Sequence, residues 1–284
     1  MGSACTSRVK RFDDYCRHKE ELAASLAIPG LTSVADDTQG RSLVRIGNPW
    51  TQRLFDGPFY RSGPVSLIFV QSRDRNTVAD NPSLLGGGET DKHFIYEGLS
   101  RVDADGVLAG SATARGENMV FSVWHPELAR LRMALGHPRH PAQIVVTGRA
   151  DLPLDRGLMF QEPSLRVFVV TKSSSVAPLR SRLGDRPWVE VIDAGEPLSI
   201  RNALPPLRAR GIEVISAVGG RRTATAMLLE GVVDDLYLTT SPIDAGEPNT
   251  PFYEGPPLAL VRVVEKSGRG SEAGVRFEHF LVTR

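Results

Sequence analysis

Cysteine is scarce: Cys5 and Cys16 are the only two in 284 residues. Neither sits in a CxxC or Cys/His ligand spacing, which argues against a disulfide framework or a zinc scaffold and leaves free thiols in a reducing compartment as the expectation. No apolar run approaches the roughly 18 residues that span a bilayer. The N-terminus carries Arg8, Lys10, Arg11, Asp13 and Asp14 where a signal peptide would be apolar, so a cytoplasmic protein with no membrane partner is expected. Charge of one sign is not in excess either, because 34 Lys and Arg face 33 Asp and Glu, and nothing in that balance points to nucleic acid. A small-molecule partner remains.

Several catalytic signatures are also missing. There is no GxGxxG and no GxxxxGK[ST], which removes the Rossmann and P-loop readings, and no GxSxG elbow from which a hydrolase triad would start. His93, His125, His137 and His140 show no repeated metal-ligand geometry, so no metal is expected. The sequence contains no internal repeat and no low-complexity tract.

What is present is ordinary globular composition, 41% apolar and 24% charged, enough for a sizeable core. Residues 11–27 space Phe12, Tyr15, Leu22 and Leu26 as a surface helix that "IPG" stops. Residues 28–64 lose that pattern yet hold Trp50, Phe55, Phe59 and Tyr60, too aromatic for a disordered linker. The expected organisation is therefore an extension over 1–63, packed on a main domain over 64–284.

The main domain alternates. Strands are predicted at 65–72, 104–110, 142–148, 165–171, 188–192, 212–218 and 234–243, with helices at 91–101, 126–135, 198–210 and 221–231 among them. This alternation implies βαβ units, an α/β fold with a mostly parallel sheet and helices on both faces. The C-terminal stretch reads instead as an antiparallel hairpin at an edge, two strands around a Gly-rich turn.

Ligands of parallel sheets gather at the carboxyl ends of strands, where helix N-termini offer free N–H groups and a positive partial charge. Four strand ends here carry groups suited to anions: Ser111, Thr113 and Arg115; Gly148 and Arg149; Lys172, Ser173, Ser174 and Ser175; and Gly219, Gly220, Arg221, Arg222 and Thr223. Each alone is ordinary loop composition. Together they suggest a phosphate-bearing ligand, with the glycines allowing close approach and Thr223 able to cap its helix. "LLGGGETD" (84–91) is a further candidate cradle, although a flexible loop entering a helix at Thr90 or Asp91 is the simpler account.

The segments "VSLIFVQSRDR", "DADGVLAGSAT", "QIVVTGR" and "VISAVGGRRTATAMLLEGVVDDLYLTTSPIDAG" resemble, in order and spacing, the dihydrofolate-reductase-like fold. More closely, they resemble the reductase domain of the bacterial riboflavin-biosynthesis deaminase-reductase. The resemblance spans about residues 64–283. It implies NADPH as cofactor, with the pyrophosphate on Gly219, Gly220, Arg221, Arg222 and Thr223, Thr113 facing it, and the 2′-phosphate near Thr147 and Arg149 or alternatively Arg115. Val70, Ser111 and Thr171 complete the expected cofactor set, and a homodimer is implied. A guanidinium beside hydroxyls is also a sound chemical means of telling NADPH from NADH.

The substrate side departs from that family. Its opening strand typically reads Lys-x-Ala-x-Ser-x-Asp-Gly, and here those positions are Ile68, Val70, Ser72, Asp74 and Arg75. A Glu commonly precedes the double glycine; here it is Val218. The Asp-Asp-Pro stretch is replaced by "ARGENMVFSVW". Ser72 and Asp74 remain as substrate groups, with Asp74 the candidate acid or anchor and a turn aspartate its plainer reading. Glu117 and Asp80 are weaker candidates. Two functions follow: an NADPH-dependent reductase of a pyrimidine-like, pterin-like or carbonyl substrate, or a non-catalytic NADP(H)-binding relative acting as sensor or structural partner.

Overall fold

The computed structural model describes residues 2–25, 30–36, 44–47, 49–93 and 98–283. In chain order the elements begin with α1 (Gly2–Ser25), β1 (Leu31–Asp36), β2 (Val44–Ile46), α2 (Pro49–Phe55), β3 (Phe59–Arg61), β4 (Val65–Gln71) and α3 (Gly88–Asp91). The middle of the chain gives β5 (Gly106–Gly110), α4 (Pro126–Ala134), β6 (Ala142–Thr147), α5 (Leu158–Gln161), β7 (Val167–Thr171), α6 (Ser173–Leu183) and β8 (Val189–Asp193). The remainder is α7 (Ile200–Arg208), β9 (Ile215–Val218), α8 (Arg221–Leu229), β10 (Asp235–Thr240), β11 (Leu260–Gly268) and β12 (Arg276–Val282). Two units divide the chain, one of Met1–Ser25 with Arg101–Ile215, the other of Leu26–Ser100 with Ser216–Arg284.

The first unit contains the parallel run β5-β6-β7-β8, in the register Leu108↔Ile144↔Phe168↔Glu190. Strands β5, β6 and β7 are buried at every position, as parallel strands covered on both faces must be, which is why they read as unbroken apolar runs. Helix α6 was not legible in the sequence. Its Ser-Ser-Ser start and internal Pro178 resemble a loop, yet Leu179 and Leu183, one turn apart, are both buried and fix the helix on the core. Helix α1 begins earlier than predicted, and residues 26–29 lie outside the described residues. It docks through Phe12 on His140 (5.5 Å), Tyr15 edge-on to Trp124 (5.6 Å) and Glu20 on Arg139 (2.5 Å). Cys16 is a free thiol on this helix, and burial pushes its pKa up to about 11, so it has little thiolate character.

The second unit orders its strands β1-β11-β12-β10-β4-β9. β10 runs parallel to β4 (Tyr237↔Ile68) and antiparallel to β12 (Tyr237↔His279), and β12 pairs antiparallel with β11. The predicted C-terminal hairpin is therefore present, but β1 pairs antiparallel outside β11, so the hairpin is not the outermost strand pair. Phe59 and Tyr60 of the aromatic stretch are buried, Phe59 lying 5.0 Å from the Tyr237 ring; the side chains of Trp50 and Phe55 lie outside the described residues.

Of the helix predicted over 91–101, Asp91 ends α3, Lys92 and His93 continue in helical conformation, and Leu99–Arg101 form a single turn, with 94–97 outside the described residues. A buried carboxylate secures the other side of this unit. Asp235 accepts the Ser62 hydroxyl (2.6 Å), the Gly63 amide (3.0 Å) and His279 Nε2 (2.7 Å). Burial pushes its pKa up, but His279 and these donors more than offset it and hold the group below its ordinary value.

Candidate functional site

In the second unit β9 ends at Val218, and the chain turns through Gly219 (φ +67°) and Gly220 (φ +87°) into α8. Both φ values lie in the left-handed region, which is why glycine stands at both positions. The cap position is Gly220, so Thr223 sits in the first turn and does not cap the helix as expected; no side-chain cap is present among the described residues. Ala224 is the first amide to find a helical acceptor, Gly220 O at 2.9 Å. The first turn also carries Arg221 and Arg222 and no acid, the opposite of what the helix dipole favours. Uncapped amides and two cations at a helix start suit a bound anion and are otherwise unfavourable. Arg221 is engaged by Pro251 O (2.7 Å) and by Glu254, whereas Arg222 is exposed with no partner among the described residues.

In the first unit the ends of β6 and β7 are in register, Thr147↔Thr171. Thr171 is fully buried and donates its hydroxyl to Thr147 O (2.7 Å), while Thr147 Oγ1 accepts the Ala150 amide (3.1 Å). Both hydroxyls thus shape the strand end. That shape presents Gly148 and Arg149, which are exposed, and Arg149 has no partner among the described residues. Arg115, the alternative cation, is paired with Asp151 at 2.8 Å. Ser111 and Thr113 are half-buried in the turn after β5, where the Ser111 amide is held by Val146 O at 2.9 Å.

Two strand-end or loop positions that look anion-binding in sequence are closed by the protein's own carboxylates. After β7, Ser174 donates both its amide (3.2 Å) and hydroxyl (2.6 Å) to Glu196, Ser173 donates to Asp193 (2.7 Å), and Lys172 pairs with Glu196 (3.5 Å). The Gly195 amide (2.9 Å) and then Ser173 hold the Asp193 pKa below its ordinary value, and Ser174 chiefly does the same for Glu196. At the "GGG" loop, Glu272 takes the Thr90 amide (2.8 Å) and hydroxyl, and a Cβ on Gly88 would meet Glu272 Oε1 at 2.3 Å. Glu272 therefore occupies the place of a phosphate, and the loop enters α3 at Gly88, ahead of Thr90 and Asp91.

The end of β4 carries the cofactor candidate Val70, half-buried within the strand, and the substrate candidates Ser72 and Asp74 in the turn that follows. Ser72 is fully buried and donates its hydroxyl to Asp74 Oδ1 at 2.5 Å. Asn76, which sequence reasoning did not single out, donates Nδ2 to Asp74 Oδ2 at 2.7 Å and accepts the Thr250 amide on Oδ1 at 3.2 Å. Arg73 pairs with Asp244, tying the same turn to the 241–250 loop. The one available signal was the Asx-rich string "SRDRN" itself. Asp74 is exposed beyond these contacts, a carboxylate with both oxygens hydrogen-bonded from below. Glu117 pairs with Arg156 at 3.3 Å, and Asp80 is exposed. The two positions where the resembled family has Lys and Glu are core: Ile68 is 3% exposed and Val218 0%.

A family model described as the RibD C-terminal domain matches residues 65–273. The chain belongs to the RibD C-terminal domain family. Among individual relatives, the 2,5-diamino-6-ribosylamino-4(3H)-pyrimidinone 5′-phosphate reductase of Archaeoglobus fulgidus is 23% identical over 182 residues, 62% of this chain and 81% of that protein. The crystal structure of a pyrimidine reductase-like protein from Corynebacterium diphtheriae superposes with a TM-score of 0.63 at 23% identity, covering 78% of this chain and 93% of that one. The riboflavin biosynthesis reductase of Saccharomyces cerevisiae gives a TM-score of 0.55 at 18% identity, covering 78% and 90%. The fold of this RibD C-terminal domain protein is accordingly dihydrofolate-reductase-like, a mostly parallel sheet with helices and a C-terminal antiparallel hairpin. Among the described residues no helix is long and apolar enough to cross a membrane.

Proposed function

We propose that this RibD C-terminal domain protein is an oxidoreductase that uses NADPH to reduce a small pyrimidine-like, pterin-like or carbonyl substrate. The observation that carries the cofactor reading is the start of α8: two glycines in left-handed conformation, uncapped first-turn amides and two arginines with no acid among them. Gly219, Gly220, Arg221, Arg222 and Thr223 would hold the pyrophosphate, with Thr113 and Ser111 contributing hydroxyls. Arg149 would take the 2′-phosphate, and the pairing of Arg115 with Asp151 favours that choice over Arg115. When bound, NADPH supplies the hydride. The chain's own residues would then orient the substrate, and Asp74, held as an acceptor by Ser72 and Asn76, suits an anchor for a substrate N–H or O–H better than a proton donor. A homodimer is the assembly this family likeness supports.

Thermal-shift titration with NADPH, NADP and NADH tests the cofactor reading, since a ligand of the folded state raises the melting temperature. A rise with the NADP forms and a smaller one with NADH is expected; no rise with either NADP form would end the proposal. Turnover is tested by NADPH oxidation with 2,5-diamino-6-ribosylamino-4(3H)-pyrimidinone 5′-phosphate and with pterin and carbonyl compounds. A second reading, a non-catalytic NADP(H)-binding protein, is favoured by the burial of Ile68 and Val218. Binding without oxidation of NADPH by any of these compounds would select it.

A further inference from the structure

Apart from the weaker candidate Glu117, none of the groups assigned above to cofactor or substrate lines a cavity that lies within the first unit. It encloses about 270 Å³ and is bounded by Arg11 on α1, Glu117 after β5 and the stretch 155–162 after β6. Cavities of about 150 Å³ already admit benzene, so there is room here for a compound of several heavy atoms. Arg11 lies outside the family match, which begins at residue 65, so this wall is not a feature of the family fold.

The lining is unevenly satisfied. Arg11 donates to Asn118 (2.8 Å), Arg156 pairs with Glu117 (3.3 Å) and Asp155 pairs with Arg186 (3.0 Å). Glu162 is only 6% exposed. Its Oε1 takes the amide (3.0 Å) and hydroxyl (2.6 Å) of Ser164, and its Oε2 has no hydrogen-bond partner among the described residues. Gln161 commits Nε2 to Leu154 O (2.5 Å) and keeps Oε1 as an unused acceptor. Glu162 makes no ion pair among the described residues, and Arg11, the lining's other charge without one, is held by the Asn118 amide oxygen; a carboxylate oxygen left open in a cavity is stabilised by a ligand that brings a cation and hydrogen bonds. Leu158 adds an apolar surface to the same cavity.

We propose that this cavity binds a small organic cation, an alkylammonium or alkylguanidinium compound, whose head donates to Glu162 Oε2 and Gln161 Oε1 and whose stem lies on Leu158. The test is isothermal titration of the full chain at low ionic strength, where screening is weak, with agmatine and butylamine as cations and butyrate as the anionic comparator. Saturable binding of the cations and none of butyrate is expected. Glu162→Gln keeps the size and should weaken agmatine about 10-fold or more, the scale of one charge-assisted hydrogen bond. Gln161→Leu should weaken it about 3-fold or more and decides the matter if Glu162→Gln does not fold. Absence of binding by both cations up to about 10 mM, or unchanged affinity in the folded variants, overturns the proposal. NADPH enters no arm of this experiment, so its outcome is separate from that of the cofactor reading.

Discussion

Asn76 fixes the orientation of Asp74. Because its Oδ1 accepts the Thr250 amide, its Nδ2 must be the atom that faces Asp74 Oδ2, and the contact is a donation to a carboxylate. Asn76→Ala removes both bonds at a site 5% exposed and should cost about 1–3 kcal/mol of stability, read from urea unfolding. If Asp74 anchors substrate, Asp74→Asn should raise KM for any substrate turned over, and Asn76→Ala should add little in the Asp74→Asn background. Turnover untouched by Asp74→Asn would remove Asp74 from the mechanism.

Arg149 and Arg115 make opposite predictions from similar sequence contexts. Arg149 is exposed and unpartnered among the described residues, whereas Arg115 is held by Asp151. Arg149→Ala should weaken NADPH about 10-fold or more, the scale of a lost guanidinium contact to a phosphate, and leave NADH almost unchanged. Arg115→Ala should leave both nearly unchanged, since a surface ion pair contributes about 0–1 kcal/mol. Equal loss for NADPH and NADH in Arg149→Ala would contradict the 2′-phosphate assignment.

The double glycine gives a third test, provided that backbone strain is separated from ligand loss. Gly220 (φ +87°) and Gly211 (φ +77°) both need the left-handed region, but Gly211 lies in the turn after α7, with open space where a Cβ would stand. Alanine at either position should destabilise the chain by about 1–2 kcal/mol. Only Gly220→Ala should also abolish the NADPH-induced rise in melting temperature. An unaltered rise in that variant would mean that the turn is only a turn.

The alternation of strand and helix was legible because the parallel strands are apolar on both faces, so that "IVVT" and "VFVVT" stand out against polar loops. Strand β1 was not, since its partner among the described residues is β11, more than 200 residues away, and no local pattern reports such a pairing. The candidate site shows the same division. Composition identified four strand ends able to meet an anion, but Glu196 closes one of them across 22 residues, and Glu272 fills the "GGG" loop across 182. Whether a hydroxyl meets a ligand or the protein's own carboxylate is decided by such long-range contacts. Asn76 escaped notice for a related reason: in sequence it is a turn residue, and only the approach of Thr250 makes it a clamp.

His140 supplies a pH dependence whose sign can be worked out. Its ring lies between Phe12 (5.5 Å) and Trp124 (6.0 Å), with Nδ1 against the Ser122 hydroxyl at 2.8 Å. Burial first, and then the charges of Arg139 and Arg132, push its pKa down from 6.5 to about 4. Below pH 6.5 the unfolded chain therefore takes up a proton that the folded chain refuses. Stability from the neutral ring is whole above pH 6.5, falls as the pH drops through the window from 6.5 to about 4, and levels off below it. At about 1.4 kcal/mol per pKa unit, the loss across that window is at most about 3.5 kcal/mol, of which about 2.7 kcal/mol falls above about pH 4.5. Urea unfolding at about pH 7.5 and about pH 4.5 should show this loss in the native chain. His140→Gln, which keeps a partner for Ser122 but carries no titrating group, should reduce the loss by that amount, and an equally steep decline in the variant would assign the pH dependence to other groups.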